Sequence, residues 1–107
     1  MSERELVILT TTFADQEKAE KVASLIVDAG LAVCAQVGGV VVSYYRYEGK
    51  MQKDHEIPVT FKILPVRLDL FLGELKLQHP YEVPQIVGWP APYVDTNYLQ
   101  WAKGKTL

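Results

Sequence analysis

The sequence has little cysteine and no long apolar run. Cys34 is the single cysteine among 107 residues, which excludes an internal disulfide and a metal site built on a pair of cysteines. No apolar run approaches the roughly 20 residues that a membrane span requires, and the polar start lacks the basic and then apolar order of a secretion signal. We therefore expect a cytoplasmic protein that does not enter a membrane.

The sequence also has no excess of basic over acidic residues. The sequence has 11 Lys and Arg side chains against 13 Asp and Glu, so it has no general attraction for nucleic acid phosphates. It also carries no glycine-rich phosphate loop, Gly-x-Ser-x-Gly elbow or His-Glu-x-x-His motif, which are common signatures of enzymes. A composition of 49% hydrophobic and 22% charged residues is typical of one globular domain, here over residues 1–107.

The first third of the chain predicts a strand followed by a helix. Residues 5–12 form a β-branched run with an apolar centre, which is typical of a strand covered on both faces. Apolar residues then recur at helical spacing, as Ala19, Val22, Ala23 and Ile26. Asp15 is a suitable N-cap for this helix, and Gly30 can end it in a left-handed conformation.

The centre of the chain predicts a long β-hairpin. Residues 32–48 are β-prone throughout and are interrupted only by Gly38 and Gly39, which indicate a bend or bulge inside one long strand. A turn over residues 48–50 leads into an opposing strand over residues 51–63. Pro58 cannot donate a hydrogen bond within a sheet, so we expect a bulge or a free edge beside it.

The last third of the chain predicts a helix, a strand and a short terminal helix. Residues 65–78 have helical spacing, residues 79–84 form a proline-containing loop, and residues 85–89 supply a strand. Tyr98 and Trp101 share one face of the terminal helix. The order β-α-β-β-α-β with an added helix predicts an α+β, ferredoxin-like sandwich in which one sheet face remains partly open.

The length of the hairpin predicts self-association. A strand of about 16 residues runs roughly 50 Å, whereas a compact domain of this size is only about 35 Å across. The hairpin must therefore bend back over its own sheet at Gly38 and Gly39, or project from the domain. Because an isolated two-stranded ribbon is marginally stable at best, we expect the aromatic ribbon residues Tyr44, Tyr45 and Tyr47 to form a subunit interface.

Two polar features admit structural or functional interpretations. Cys34 lies in an apolar strand and is interpreted as an inert thiol, with a nucleophilic pair between Cys34 and His79 as the alternative. Residues 54–56, Asp-His-Glu, carry oxygen and nitrogen atoms that can bind a metal ion. Neighbouring strand residues point to opposite faces, however, so all three side chains cannot converge on one ion. We therefore interpret this segment as solvated.

Several motifs together resemble the CutA family of divalent-cation tolerance proteins. Their residues cover most of the chain in the same order: Leu31-Ala32-Val33-Cys34-Ala35, Tyr45-Arg46-Tyr47-Glu48-Gly49-Lys50, Phe61-Lys62, His79-Pro80-Tyr81-Glu82-Val83-Pro84-Gln85-Ile86 and Tyr98-Leu99-Gln100-Trp101. The resemblance implies a PII-like homotrimer in which long hairpins extend across neighbouring subunits. It also implies a role in tolerance of copper and other divalent ions. Because the enzyme signatures named above are missing, we expect the chain to act by binding a metal ion or small ligand and not by catalysis.

The resemblance further implies a metal site that this sequence only partly carries. Some family members bind copper through a cysteine near the end of the first strand and a histidine pair before the Pro-Tyr. The matching positions here are Thr11, Gln78 and His79, so the implied copper or divalent-cation ligand is His79 alone and the expected binding is weak. The alternative is that the His79 ring forms hydrogen bonds across the loop.

A ligand cleft between subunits is the other expected site. Arg46, Glu48 and Lys62 can meet an anionic small molecule, and Tyr81, Tyr98 and Trp101 can form its apolar walls. The alternative is that these residues form interface salt bridges and aromatic packing. A PII-like signalling module or a small ferredoxin-like enzyme is the second functional hypothesis, by analogy of fold.

Overall fold

The computed structural model describes residues 6–106, so Glu5 of the first predicted strand lies outside the described part. The first strand, β1, spans Val7–Phe13 and the first helix, α1, spans Gln16–Asp28. Asp15 is the N-cap, and its side chain accepts a hydrogen bond of 2.8 Å from the Lys18 backbone N–H. Gly30 has a φ of +74° just after the helix. Both predicted ends of α1 are therefore confirmed.

Among residues 6–106, five strands form one antiparallel sheet, and three α-helices accompany it. The remaining strands are β2 (Cys34–Val37), β3 (Val41–Tyr47), β4 (Lys50–Ile63) and β5 (Val87–Pro90), and the remaining helices are α2 (Leu68–Gln78) and α3 (Thr96–Thr106). The strand order is β2-β4-β1-β5, and β3 pairs with β4 beyond this path. The α+β class is thus confirmed. The last strand begins two residues later than the predicted range of 85–89 and ends one residue later.

A bulge separates β2 from β3 and explains the position of Pro58. Val37 pairs with Val59, whereas Val41 pairs with Glu56, so residues 38–40 oppose only residues 57–58 of β4. Gly38 N–H donates to Pro58 O at 2.8 Å. Because the N–H and C=O of one residue point to the same side of an antiparallel strand, the donor that proline lacks faces the bulge. The predicted long strand is therefore divided in two at the predicted bulge.

Beyond the bulge, β3 and the first half of β4 form a projecting ribbon. The molecule measures 45 Å along its longest axis and only 26 and 24 Å across. Tyr44 and Tyr47 are 63% and 62% exposed, so the alternative in which the ribbon folds back over its own sheet is wrong for this chain. The ribbon ends in a two-residue turn at Glu48 and Gly49, with φ of 51° and 77°, a backbone that matches the twist of a hairpin.

The core lies between one face of the sheet and helices α1 and α2. Alternate residues of β4 point into it: Ile57, Val59, Phe61 and Ile63. Phe61 and Phe71 pack edge to face with ring centroids 5.0 Å apart. On the opposite face, Leu99 and Ala102 of α3 pack in a second cluster with Leu6, Val33 and Leu64. Within residues 6–106, no helix is long and apolar enough to cross a membrane.

Candidate functional site

His79 lies where α2 ends, and its side chain turns inward to the end of β1. It is only 7% exposed. Its ring stacks on Phe13 with centroids 4.4 Å apart and planes within 11°. Burial lowers the pKa of the His79 imidazole, and the Thr12 carbonyl and the Glu56 carboxylate oppose that shift. His79, predicted to lie in a loop, therefore has a buried side chain that packs against the end of β1.

Both ring nitrogens of His79 have hydrogen-bond partners. The Tyr81 backbone N–H donates to Nδ1 at 3.1 Å, and Nε2 lies 2.9 Å from the Thr12 carbonyl oxygen. A backbone N–H can only donate and a carbonyl can only accept. Nδ1 must therefore be the unprotonated nitrogen and Nε2 the protonated one. Two independent contacts thus require the same neutral tautomer.

A half-buried carboxylate, Glu56, links this histidine region to the ribbon. Its Oε2 accepts hydrogen bonds of 2.9 Å from both the Thr12 hydroxyl and the Tyr81 phenol. Burial, and then the hydrogen bond to Glu56, raises the pKa of the Tyr81 phenol well above its usual value. The interpretation of residues 54–56 as a wholly solvated segment is therefore wrong for Glu56. No local sequence pattern indicates these two hydrogen bonds, because both donors are remote from Glu56 in the chain.

Of the three positions at which the resemblance implies metal ligands, the structure brings only two together. Thr11 Oγ1 lies 3.0 Å from His79 Nε2, so these two matched positions are neighbours in space. Gln78 instead donates to Glu74 one helical turn earlier, at 2.8 Å. In the part of the chain that the structure describes, no three His, Cys, Asp or Glu side chains form a group that could hold a metal ion. A hydroxyl and an imidazole with both nitrogens engaged do not fit a copper site.

Cys34 belongs to a different cluster, on the face covered by α3. Its sulfur lies 3.9 Å from the Tyr98 hydroxyl, and the Lys62 ammonium lies 5.6 Å from the centroid of the Tyr98 ring. Burial and the nearby Cys34 raise the pKa of Tyr98, and Lys62 opposes this. Trp101 lies beside Tyr98, with ring centroids 5.5 Å apart.

The alternative nucleophilic pair of Cys34 and His79 is not formed. Cys34 is the register partner of Lys62, which in turn pairs with Ile8 of β1. His79 instead contacts Thr12, four residues further along β1, or about 13 Å at the usual rise per residue. That separation is far beyond hydrogen-bond distance.

Within one chain, the predicted cleft residues lie in three separate places. Arg46 and Glu48 are at the ribbon tip, where Arg46 Nη2 donates to Gly49 O at 3.0 Å. Arg46 pairs with Met51, which is about 36 Å along β4 from Lys62. Tyr81 lies between these two ends, on Glu56. These side chains can share a cleft only if a second copy of the chain supplies some of them.

The three ribbon tyrosines face both sides of the ribbon. Tyr44 lies under the Lys53 ammonium, 5.9 Å from its ring centroid. Tyr45 donates a hydrogen bond to Asp54, which raises the pKa of the Tyr45 phenol. Tyr47 is exposed near the tip. The ribbon therefore presents aromatic surface that this chain does not itself cover.

An open groove of about 730 Å³ lies between α2, β5 and the loop after α2. The sequence did not predict it, because it is formed by side chains from remote segments. Its apolar lining includes Leu68, Leu72, Val83, Ile86 and Trp89, and Tyr81 lies at its margin. The groove therefore shares one loop with the His79 contacts.

Comparisons with known proteins agree with this fold. A family model described as CutA1 divalent ion tolerance protein matches residues 7–105. The divalent-cation tolerance protein CutA of Citrobacter koseri is 31% identical over 97 residues, covering 91% of this chain and 84% of that protein. The crystal structure of CutA1 from Shewanella sp. SIB1 is 31% identical, has a TM-score of 0.90, and covers 99% of this chain and 98% of that one.

A more distant structure shows the same fold at lower identity. The CutA of Archaeoglobus fulgidus, described as a periplasmic divalent cation tolerance protein, is 22% identical with a TM-score of 0.90. The matched segments cover 95% of this chain and 99% of that one. With a family model that matches nearly its whole length, the chain belongs to the CutA1 divalent ion tolerance protein family.

Proposed function

We propose that this chain is a homotrimeric, non-enzymatic protein of divalent ion tolerance that binds a small ligand or an ion in clefts between its subunits. The observation that carries this proposal is the projecting ribbon, whose Tyr44 and Tyr47 side chains are mostly exposed. A two-stranded ribbon with uncovered aromatic rings is marginally stable alone and gains stability against another surface. A second copy of the chain supplies that surface.

The dispersal of the predicted cleft residues supports the same assembly. Arg46 and Glu48 lie at the ribbon tip, and Lys62 with Tyr98 lies at the other end of β4. A ribbon that reaches across a neighbour brings its tip close to that neighbour's sheet. The resulting cleft offers cations and aromatic walls to an anionic ligand.

The ferredoxin-like description and the PII-like architecture are part of this proposal. The strand order β2-β4-β1-β5 and the placement of α1 and α2 on one sheet face support them. The cytoplasmic location stays a prediction.

Light scattering after size exclusion tests the assembly. We expect about three times the chain mass of 12.1 kDa and a shift toward smaller species when Tyr44 and Tyr47 are both changed to Ser. Tyr93→Ser is the matched control, because Tyr93 is 79% exposed outside the ribbon. A wild-type monomer would contradict both the trimer and the cleft.

A thermal-shift panel separates the ligand classes. Divalent metal salts and anionic metabolites are added separately, since a ligand that binds only the folded state raises its apparent stability. Stabilisation by an anionic metabolite that is lost in Lys62→Gln favours the signalling alternative. Stabilisation by a metal ion alone favours direct ion binding. Turnover of any metabolite in the panel would overturn the non-enzymatic assignment.

A further inference from the structure

His79 is the position at which the family resemblance implies a copper ligand, but both of its ring nitrogens already have hydrogen-bond partners. We infer that His79 is a neutral side chain whose hydrogen bonds link the end of β1 to the loop after α2, and that its imidazole is not a ligand for divalent ions. This inference goes beyond the proposed function and does not depend on the trimer. It rests on the contacts that the His79 side chain makes with Thr11, Thr12, Phe13 and Tyr81.

A metal ion binds the lone pair of an unprotonated ring nitrogen. The lone pair of Nδ1 already accepts the Tyr81 N–H, so an ion there would leave that N–H without its acceptor. An ion at Nε2 would displace the proton that points to the Thr12 carbonyl. That proton would have to move to Nδ1, where it would face the Tyr81 N–H, donor against donor. On either route at least one of these two backbone groups, the Tyr81 N–H or the Thr12 carbonyl, loses its present hydrogen bond, which costs free energy.

The side chains around the ring do not offset this cost. Thr11 is fully buried and supplies a neutral hydroxyl where the resemblance implies a cysteine, and copper prefers nitrogen and sulfur donors. The His79 ring stacks on Phe13, and the centroid of the Tyr81 ring lies 5.0 Å from that of His79 in a tilted arrangement. Among the described residues, no group of three or more His, Cys, Asp or Glu side chains is present to complete the coordination of an ion at His79.

The same contacts give His79 a positioning role. By accepting the Tyr81 N–H, the ring fixes the start of the loop after α2, and the Tyr81 phenol then reaches Glu56 on β4. Tyr81 and Val83 of this loop line the apolar groove. His79 therefore holds one wall of the groove in place.

Copper and zinc titrations of the whole protein test the inference, with His79→Gln compared against His55→Gln. His55 is the matched control, because it is exposed on β4 and is the other of the chain's two histidines. We expect Cu²⁺ and Zn²⁺ affinities to be unchanged in His79→Gln, with a lowered melting temperature. Loss of even an outer metal contact commonly weakens binding by about tenfold or more. A loss of that size in His79→Gln, absent from His55→Gln, would overturn the inference.

Nuclear magnetic resonance of the wild-type protein supplies a test that needs no variant. A long-range ¹H–¹⁵N correlation spectrum distinguishes the two nitrogens of each imidazole. We expect His79 to show a protonated Nε2 and an unprotonated Nδ1, and both signals to stay in place when Zn²⁺ is added. An Nδ1-protonated tautomer, or a change in a His79 nitrogen chemical shift on zinc addition, would refute the inference even if His79→Gln failed to fold. A trimer could still form in that case, so the two proposals fail separately.

Discussion

The two hydrogen bonds on Glu56 predict a measurable coupling between remote residues. Tyr81→Phe removes the phenol donor, and Thr12→Val removes the hydroxyl donor with almost no change of shape. A hydrogen bond to a charged group contributes about 1.5–3 kcal/mol. Because Glu56 is only half-buried and each single variant leaves it one donor, we expect the lower end, about 1.5 kcal/mol for Tyr81→Phe. Thr12→Val should cost less, because Thr12 is buried and valine places a methyl group there without the desolvation cost of a hydroxyl.

The double variant should cost more than the sum of the single ones. The two donors share one oxygen, Oε2, so removal of one lets the other bind more strongly. Removal of both leaves the carboxylate with no protein donor among the described residues. We expect an extra loss of about 1 kcal/mol, within the range for groups in one network.

Urea unfolding of the four proteins at one fixed concentration measures this coupling, since assembly makes stability concentration-dependent. Tyr93→Phe is the control, because Tyr93 is 79% exposed on the loop before α3. We expect no change in stability for it. Additivity of Tyr81→Phe and Thr12→Val within about 0.5 kcal/mol, or a Tyr81→Phe effect as small as the control's, would refute the shared-oxygen geometry.

Other expectations concern the turn and the α3 face. Gly49→Ala should lower the free energy of unfolding by about 1–2 kcal/mol, because Gly49 has a φ of +77°; an unchanged thermal midpoint would contradict this. Glu48→Asn should raise it by about 0.5 kcal/mol, since asparagine tolerates positive φ better. Cys34, half-buried beside the Tyr98 hydroxyl, should react slowly with a thiol reagent until the protein unfolds, and fast native labelling would count against an inert thiol. Burial raises the pKa of Tyr98, so above a pH of about 10 the Tyr98 phenol ionises in the unfolded chain before it does in the folded one. The free energy of unfolding therefore falls as the pH rises further. Tyr98→Phe should reduce that fall in alkaline urea unfolding.

Features that depend on neighbouring residues could be predicted from the sequence. The Asp15 cap, the turn at Glu48 and Gly49, and the bulge opposite Pro58 follow from short-range backbone rules that act within a few residues. Hydrophobic periodicity likewise located the helices and most strands, because buried faces repeat at the period of each element. The excess length of the hairpin, which left only projection from the domain or a bend back over the sheet, required only residue counting.

The site depended on tertiary structure. Thr12, Glu56 and Tyr81 meet through pairs that are 44 and 25 residues apart in sequence, and His79 reaches Thr12 across 67 residues. Local patterns carry no information on such contacts, so the sequence assigned Glu56 to solvent and left His79 open between metal ligand and loop hydrogen bonding. Only the placement of His79, just after α2, beside the end of β1 decided which partners each ring nitrogen has. The tautomer, and with it the chemistry open to His79, is therefore a property of the fold.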